Sequence, residues 1–273
     1  MKIEINPSYC TDGGYTRSCI AAIPKNFEKE GTVIFSGRNM IKKFKFRSAD
    51  GCSSQNIIVK RYKRPNFFQK IAYSFFCKTK AQKAYSNGLE LLKRGFATPE
   101  SIAYIEVRRL GLIDYCYYIC GEDYDHPITE RMNTPEKFDT VMSAEFAHFV
   151  ADLQKKGILH HDLNSTNVLF HLRTADENPS GGKYAFSLID NNRMKFLPED
   201  TLPPAAECME NITRFTGRKD LFCFVGEEYC RYLGCPDISM EKLLTQKRRH
   251  DRRRTIRKAI LHLRFRDLLK LMD

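Results

Sequence analysis

One stretch constrains this chain more than any other: Ile158-Leu159-His160-His161-Asp162-Leu163-Asn164-Ser165-Thr166-Asn167-Val168-Leu169-Phe170. It enters on aliphatic residues, passes through a polar loop spaced His-x-Asp-x-x-x-x-Asn, and leaves on an apolar run of strand character. A second apolar run, Phe186-Ser187-Leu188-Ile189, is closed by Asp190. Between the two lies Arg173 to Lys183, which contains Asn178-Pro179-Ser180-Gly181-Gly182 and therefore predicts a turn. The pattern predicts a hairpin, Val168 to His171 with Tyr184 to Ile189, that brings Asn167 and Asp190 side by side.

A third element lies upstream. Asn56-Ile57-Ile58-Val59-Lys60 predicts a β-branched strand ending in Lys. Each pattern alone is common. All three in this order resemble the protein-kinase-like superfamily, with its V-A-I-K strand, H-R-D-L-x-x-x-N loop and metal-binding Asp. The resemblance implies that Asp162 orients the acceptor hydroxyl and takes its proton, and that Lys60 holds the inner phosphates of ATP. It implies also that Asn167 and Asp190 are the Mg²⁺ ligands.

Further local marks resemble the bacterial lipopolysaccharide core kinases, the Kdo/WaaP family. They are Gly37-Arg38-Asn39, Ile58 to Lys63, Thr98 to Tyr104, His161-Asp162-Leu163-Asn164, Ile189-Asp190-Asn191-Asn192-Arg193 and Cys208 to Ile212. Asp-Leu-Asn after the His, and Asp-x-x-Arg in place of Asp-Phe-Gly, look like this family and unlike ordinary protein kinases. The implied fold is α+β and bilobal: an N-lobe of antiparallel sheet plus one helix over residues 1–122, and a mainly helical C-lobe over 123–273. The implied activity is ATP- and Mg²⁺-dependent phosphorylation of a Kdo or heptose sugar hydroxyl in the inner core, at the cytoplasmic face of the inner membrane. The alternatives are a kinase of another small molecule or of a protein, or a non-catalytic kinase-like binding protein at an anionic membrane. His161 stands where a protein kinase has Arg, and no Ala-Pro-Glu follows Asp190. Both tell against a regulated protein kinase.

The bulk properties agree with a folded chain that meets anions. Hydrophobic residues make up 42% of the 273, enough for packed cores. No apolar run nears the roughly 18 residues of a membrane span, and the N-terminal residues carry no apolar signal segment, so the expected location is cytoplasmic. Ten cysteines without a C-x-x-C predict small buried residues, not a zinc site. The net charge of +12 predicts an anionic partner or surface. A glycolipid precursor and anionic lipid suit it, and nucleic acid is the least expected.

Taken in order, Tyr9 to Tyr15 predicts a turn, and Ile20 to Pro24 a short strand or extended arm. Thr32 to Phe35 and Met40 to Phe46 predict strands joined at Ser36-Gly37-Arg38-Asn39. Only Gly37 and Arg38 are available there to contact phosphate, because G-x-G-x-x-G is absent. Ser48 to Ser54 predicts a second turn. Lys63 to Lys83 is basic and aromatic; it predicts a helical segment that packs its rings on the lobe, meets anionic headgroups or stacks on single-stranded nucleic acid. Ala81 to Arg94 predicts a helix ended by Gly95. A kinase needs a Glu on it to pair with the strand Lys, and the only one is Glu90, which projects opposite the apolar stripe. Ser101 to Val107 and Tyr115 to Cys120 predict a hairpin. Gly121 to Pro127 reads as a hinge whose acidic residues are solvated or touch a sugar. Pro135 to Lys156, Ala205 to Thr216 and Lys219 to Leu233 predict helices. Arg193 is assigned to phosphate or to bracing Asp190. From Lys247 the chain is strongly basic, and Ile256, Ile260, Leu263, Leu268, Leu269 and Leu271 outline an amphipathic helix: for substrate or membrane, as a last lobe helix with a solvated basic face, or, least expected, for nucleic acid.

Overall fold

The structure, a computed structural model, describes residues 1–9, 17–47, 54–123, 125–134, 137–174 and 182–270. The turns expected at 9–15, 48–54 and 178–182 lie largely outside them. The chain divides into two compact units, residues 1–125 with 187–194, and residues 126–186 with 195–273. The segment carrying Asp190 thus belongs to the first unit.

The first unit is built on six antiparallel strands: β1 (Lys2–Ile5), β2 (Thr32–Ser36), β3 (Met40–Arg47), β4 (Ser54–Arg61), β5 (Ser101–Arg109) and β6 (Leu112–Gly121). Their order is β1-β5-β6-β4-β3-β2. Side chains alternate across a strand, and β4 shows what that does. Ile57 and Val59 join Ile102, Ile105 and Ile119 on one face, beneath helix α1 (Arg17–Asn26). Ile58 and, just past the strand, Tyr62 join Tyr104 and Tyr118 on the other, beneath helix α3 (Lys80–Lys93). Lys60 shares the parity of Ile58 and Tyr62, so it faces the α3 side.

Helix α1 replaces the extended arm expected at Ile20 to Pro24. Ile20, Ile23 and Phe27 recur at helical spacing and are all buried, each stabilising by about 1.5–3 kcal/mol. Pro24 is tolerated near the end of this helix, although prolines usually argue against one. The buried Lys42 ammonium donates to the carbonyls of Phe27 at 2.5 Å and Glu30 at 3.0 Å just beyond α1, the kind of end a cation favours. The N-terminal unit therefore carries helices on both faces of its sheet.

Between β4 and α3 run helix α2 (Phe67–Ile71) and a π-helical turn (Ala72–Phe76). Thr79 caps α3, accepting from the Gln82 N–H while its hydroxyl donates to buried Glu106 at 2.8 Å. Gly95, at φ +82°, closes it with Phe96 N–H to Leu91 O and Gly95 N–H to Leu92 O, the pair of bonds that defines a Schellman cap. The β5–β6 hairpin is longer than expected. Its tip is Leu110-Gly111, both at positive φ, a geometry that matches the strand twist. At the end of β6, Glu122 is a structural anchor and not a solvated linker residue. It accepts from Lys43 at 2.8 Å and from Asn56 at 2.7 Å.

The second unit comprises β7 (His126–Pro127), α4 (Thr129–Met132), α5 (Thr140–Lys155), β8 (Ile158–Leu159), β9 (Val168–Leu172), β10 (Tyr184–Leu188), β11 (Lys195–Phe196), α6 (Ala205–Ile212), α7 (Lys219–Leu233) and α8 (Met240–Lys270). The last two residues of β10 pack with the first unit. Helix α5 starts later than expected because Asp139 caps it, accepting from the Met142 N–H at 2.9 Å. Its buried residues Phe146, Val150 and Leu153 share a core with Phe222, Val225 and Tyr229 of α7. Gly226 permits the close approach of α7 and α8, since a Cβ there would meet Met240 Sδ at 2.9 Å. Helix α6 ends at Ile212, short of the expected Thr216.

Candidate active site

In the first unit Lys60 of the strand and Asp190 meet. Lys60 Nζ donates to Asp190 Oδ1 at 2.6 Å. They are 130 residues apart. Lys60 also lies 5.3 Å from the Tyr62 ring centre. Burial, with Asp190 nearby, pushes the Tyr62 phenol far above its usual range and keeps that ring neutral. Asp190 adopts the left-handed conformation, φ 60° and ψ 45°, which Asp and Asn tolerate better than other side chains. Asn192 donates to the same Asp190 oxygen at 2.5 Å.

The loop around Asp190 is held by distant groups of the same unit. Asn87 of α3 donates to the Asn191 carbonyl at 2.8 Å. The Asn191 amide donates to Thr98 Oγ1 at 2.8 Å, and Thr98 in turn to the Leu188 carbonyl at 2.7 Å. Ser187 donates to Asp123 at 3.0 Å. Helix α3 therefore sends an amide to the Asp190 loop. Its Glu90 accepts from Arg94 of its own helix at 2.7 Å, so the carboxylate that Lys60 meets is that of Asp190. The sequence places Ser86 or Asn87 where a pairing acid is expected on this helix; the structure shows Asn87 holding the Asp190 loop through the Asn191 carbonyl instead.

Beside this loop a cavity of about 450 Å³ is lined by Lys78, Lys80, Lys83, Asn87 and Arg193. Burial, with the charges of Arg38 and Arg193, holds the Lys80 ammonium below its ordinary pKa. Gly37 sits in a tight turn, its N–H donating to Asn39 O at 3.1 Å, and a Cβ there would strike the Phe35 ring at 2.9 Å.

In the second unit the polar loop between β8 and β9 is wound on itself. The Asp162 carbonyl accepts from the Asn164 N–H at 2.8 Å and from the Asn167 side-chain amide at 2.9 Å. His160 is buried, and its Nδ1 accepts from the Asp162 N–H at 3.3 Å. That fixes its role as a structural partner. His161 is left-handed, φ 56°, and its N–H donates to the buried Asn211 Oδ1 at 3.0 Å. Burial holds the His161 imidazole below its usual pKa. Leu163, fully buried, pins the loop from below. With its NH₂ engaged, Asn167 keeps the amide oxygen as its metal-competent atom. Carboxylate and amide oxygens are the donors a hard cation such as Mg²⁺ takes, so Asp190 and Asn167 fit that ion chemically.

No family model matches the sequence, and no curated protein matches it. The structure is similar to the solved structure of WaaP in complex with acyl carrier protein, with a TM-score of 0.56 at 15% identity, over 93% of this chain and 99% of that one. The fold is kinase-like. The Rio2 kinase of Chaetomium thermophilum aligns more loosely, with a TM-score of 0.44 at 14% identity over 86% of this chain. The WaaP likeness covers residues of both units, so the α+β architecture of a helix-flanked antiparallel sheet and a mainly helical unit is a WaaP-like fold.

Proposed function

We propose that this chain is a kinase that transfers the γ-phosphoryl group of ATP to a sugar hydroxyl of a lipopolysaccharide inner-core precursor, a Kdo or a heptose. The observation that carries the reading is the 2.6 Å pair of Lys60 and Asp190. Lys60 ends one motif and Asp190 closes another, 130 residues apart in the chain. Lys60 binds the inner phosphates. Asp162 accepts the acceptor hydroxyl's proton as the new O–P bond forms and the bond to the ADP leaving group breaks. Asp190 and Asn167 would hold Mg²⁺, which when bound neutralises charge on the phosphates. Gly37 and Arg38 lie on the turn that would cover the nucleotide.

The acceptor class is supported by a surface of the first unit. Phe67, Phe68, Phe75 and Phe76 are all at least 65% exposed, among Lys63, Arg64, Lys70 and Lys78. Their segment is not loose. Asp114 of β6 accepts from Arg64 at 2.6 Å and Lys70 at 2.9 Å, and Ser74 accepts from the Ile113 N–H at 2.8 Å. A clamped segment that presents four rings and several cations suits peripheral contact with an anionic membrane, where a glycolipid acceptor resides. Among the described residues no helix is long and apolar enough to cross one.

The deciding experiment is phosphoryl transfer from ATP to Kdo–lipid A or a heptosylated acceptor, with Asp162→Asn beside the parent. Transfer by the parent alone is the expected result. Equal transfer by both removes Asp162 from the chemistry, and ATP binding without transfer to either acceptor removes the lipopolysaccharide assignment.

A further inference from the structure

Within the second unit, the catalytic-loop residue Asp162 lines a cavity of about 370 Å³ whose opposite wall is helix α8. That wall carries Arg249, Arg253, Arg254 and Arg257, with Arg214 from beyond α6 beside them. Arg249, Arg253 and Arg257 stand at successive i, i+4 positions and so share one helix face. Like charges at that spacing destabilise a helix by about 0.2–0.5 kcal/mol per pair. Among the described residues no carboxylate forms an ion pair with these three or with Arg254, while Arg214 is 3.6 Å from Glu210. Two residues before Arg249 the same helix compensates its charge. Buried Lys247 donates to Thr213 O at 3.0 Å, Thr216 O at 2.7 Å and Asp251 at 3.0 Å. All three of its protons are satisfied, and two of them bolt α8 to the residues that follow α6. The helix is thus fixed in place while its next two turns aim uncompensated guanidinium groups into a cavity shared with the proton acceptor.

We propose that this cavity is the acceptor's anion subsite: the arginine face of α8 binds a second phosphate or carboxylate group of the molecule whose hydroxyl Asp162 serves. The assignment to an acceptor rests on the kinase reading above; the anion site itself does not. Guanidinium forks match phosphate and carboxylate oxygens two at a time. The acceptor class this selects is a sugar that already carries negative charge near the reacting hydroxyl, and neutral sugars are discriminated against by the unpaired arginines they would leave.

The test uses the full chain with its nucleotide site filled by Mg²⁺ and a non-hydrolysable ATP analogue, and titrates inorganic pyrophosphate calorimetrically. One further pyrophosphate site is expected. The triple variant Arg249→Ser, Arg253→Ser, Arg257→Ser, whose three positions are exposed in the parent, weakens it by at least about tenfold, the effect of losing a charge-assisted contact. Lys60→Ala leaves it unchanged. In turnover the triple variant raises KM for the charged acceptor and leaves KM for ATP alone. Absence of pyrophosphate binding, or binding that the triple variant retains, overturns the proposal. So does a triple variant that loses only binding to phosphatidylglycerol vesicles, which would make α8 a membrane contact. If no transfer or ATP binding is found and the pyrophosphate site persists in nucleotide-free protein, the kinase reading fails and the anion site stands.

Discussion

The two loops that carry the proposed functional carboxylates are held in different ways. The Asp162 loop is shaped largely from within: its carbonyl collects Asn164 and Asn167 and its N–H finds His160, while Asn211 reaches in at His161, and Thr129 and Asn133 reach in at Ser165. The Asp190 loop borrows more of its bonds. Lys60 of β4, Asn87 of α3, and Thr98 and Asp123 from the loops beside β5 and β6 hold it. A loop that closes on near neighbours is preorganised as soon as its flanking strands form. A loop held by remote side chains follows the state of the sheet and helix that hold it, and is the natural place for nucleotide and metal occupancy to be felt.

The sharpest test of this contrast is Asp162→Asn. Turnover should fall by about 10²–10⁴-fold, the usual worth of a general base, with the melting temperature unchanged, because the backbone bonds that shape the loop survive. A large drop in melting temperature would show that the carboxylate is structural. Next is Asp190→Ala. It should abolish the gain in melting temperature given by Mg²⁺ and ATP, a gain worth about 2.7 kcal/mol at a ligand concentration a hundred times Kd. A retained gain would move the metal and phosphate site elsewhere. Asn87→Leu comes third. It strips one remote strut, and the Asn191 carbonyl keeps its bond from the Met194 N–H, so the cost is that of one hydrogen bond, about 0.5–1.5 kcal/mol. KM for Mg²⁺ and ATP should rise while hydrogen exchange in the Asp162 loop stays as in the parent. If both loops loosen together, the contrast is broken. The smallest effect belongs to Glu90→Gln, which removes a helical i, i+4 pair worth about 0.3–0.5 kcal/mol. A large loss of ATP affinity in that variant would make Glu90, not Asn87, the working residue of α3.

The same contrast governs what the sequence revealed. Lys60, Asp162, Asn167 and Asp190 are legible because each sits at a fixed offset from a strand, and strand periodicity survives in the residue pattern. The β5–β6 hairpin and the helix ended by Gly95 were legible for a like reason: turn and cap chemistry is local. For Asn87 the position is legible, as a place where an acid is expected, but its contact with the Asn191 carbonyl is not, because that exists only once α3 packs against the sheet. Helix α1 was hidden by Pro24, whose local preference was outweighed by three apolar residues on one face. Glu122 reads as a solvated hinge acid until β3 and β4 bring Lys43 and Asn56 beside it. The rings of Phe67, Phe68, Phe75 and Phe76 could be packed on the lobe or exposed, and the structure exposes all four.

The left-handed backbone at Asp190 bears on how such a chain can change over generations. Only Asn and Gly share its ease in that conformation, and a single base change turns an Asp codon into either. If the proposed activity is this chain's own, Asp190→Asn and Asp190→Gly are the mildest exits from it: the backbone keeps its course, while Lys60 loses its ion pair. Asp190→Val is as near in the genetic code, yet it sets a β-branched side chain at φ 60° and strains the backbone as well. A descendant that gave up that activity while keeping its surfaces would carry Asn or Gly at this position, its backbone little altered and its Lys60 left without this carboxylate.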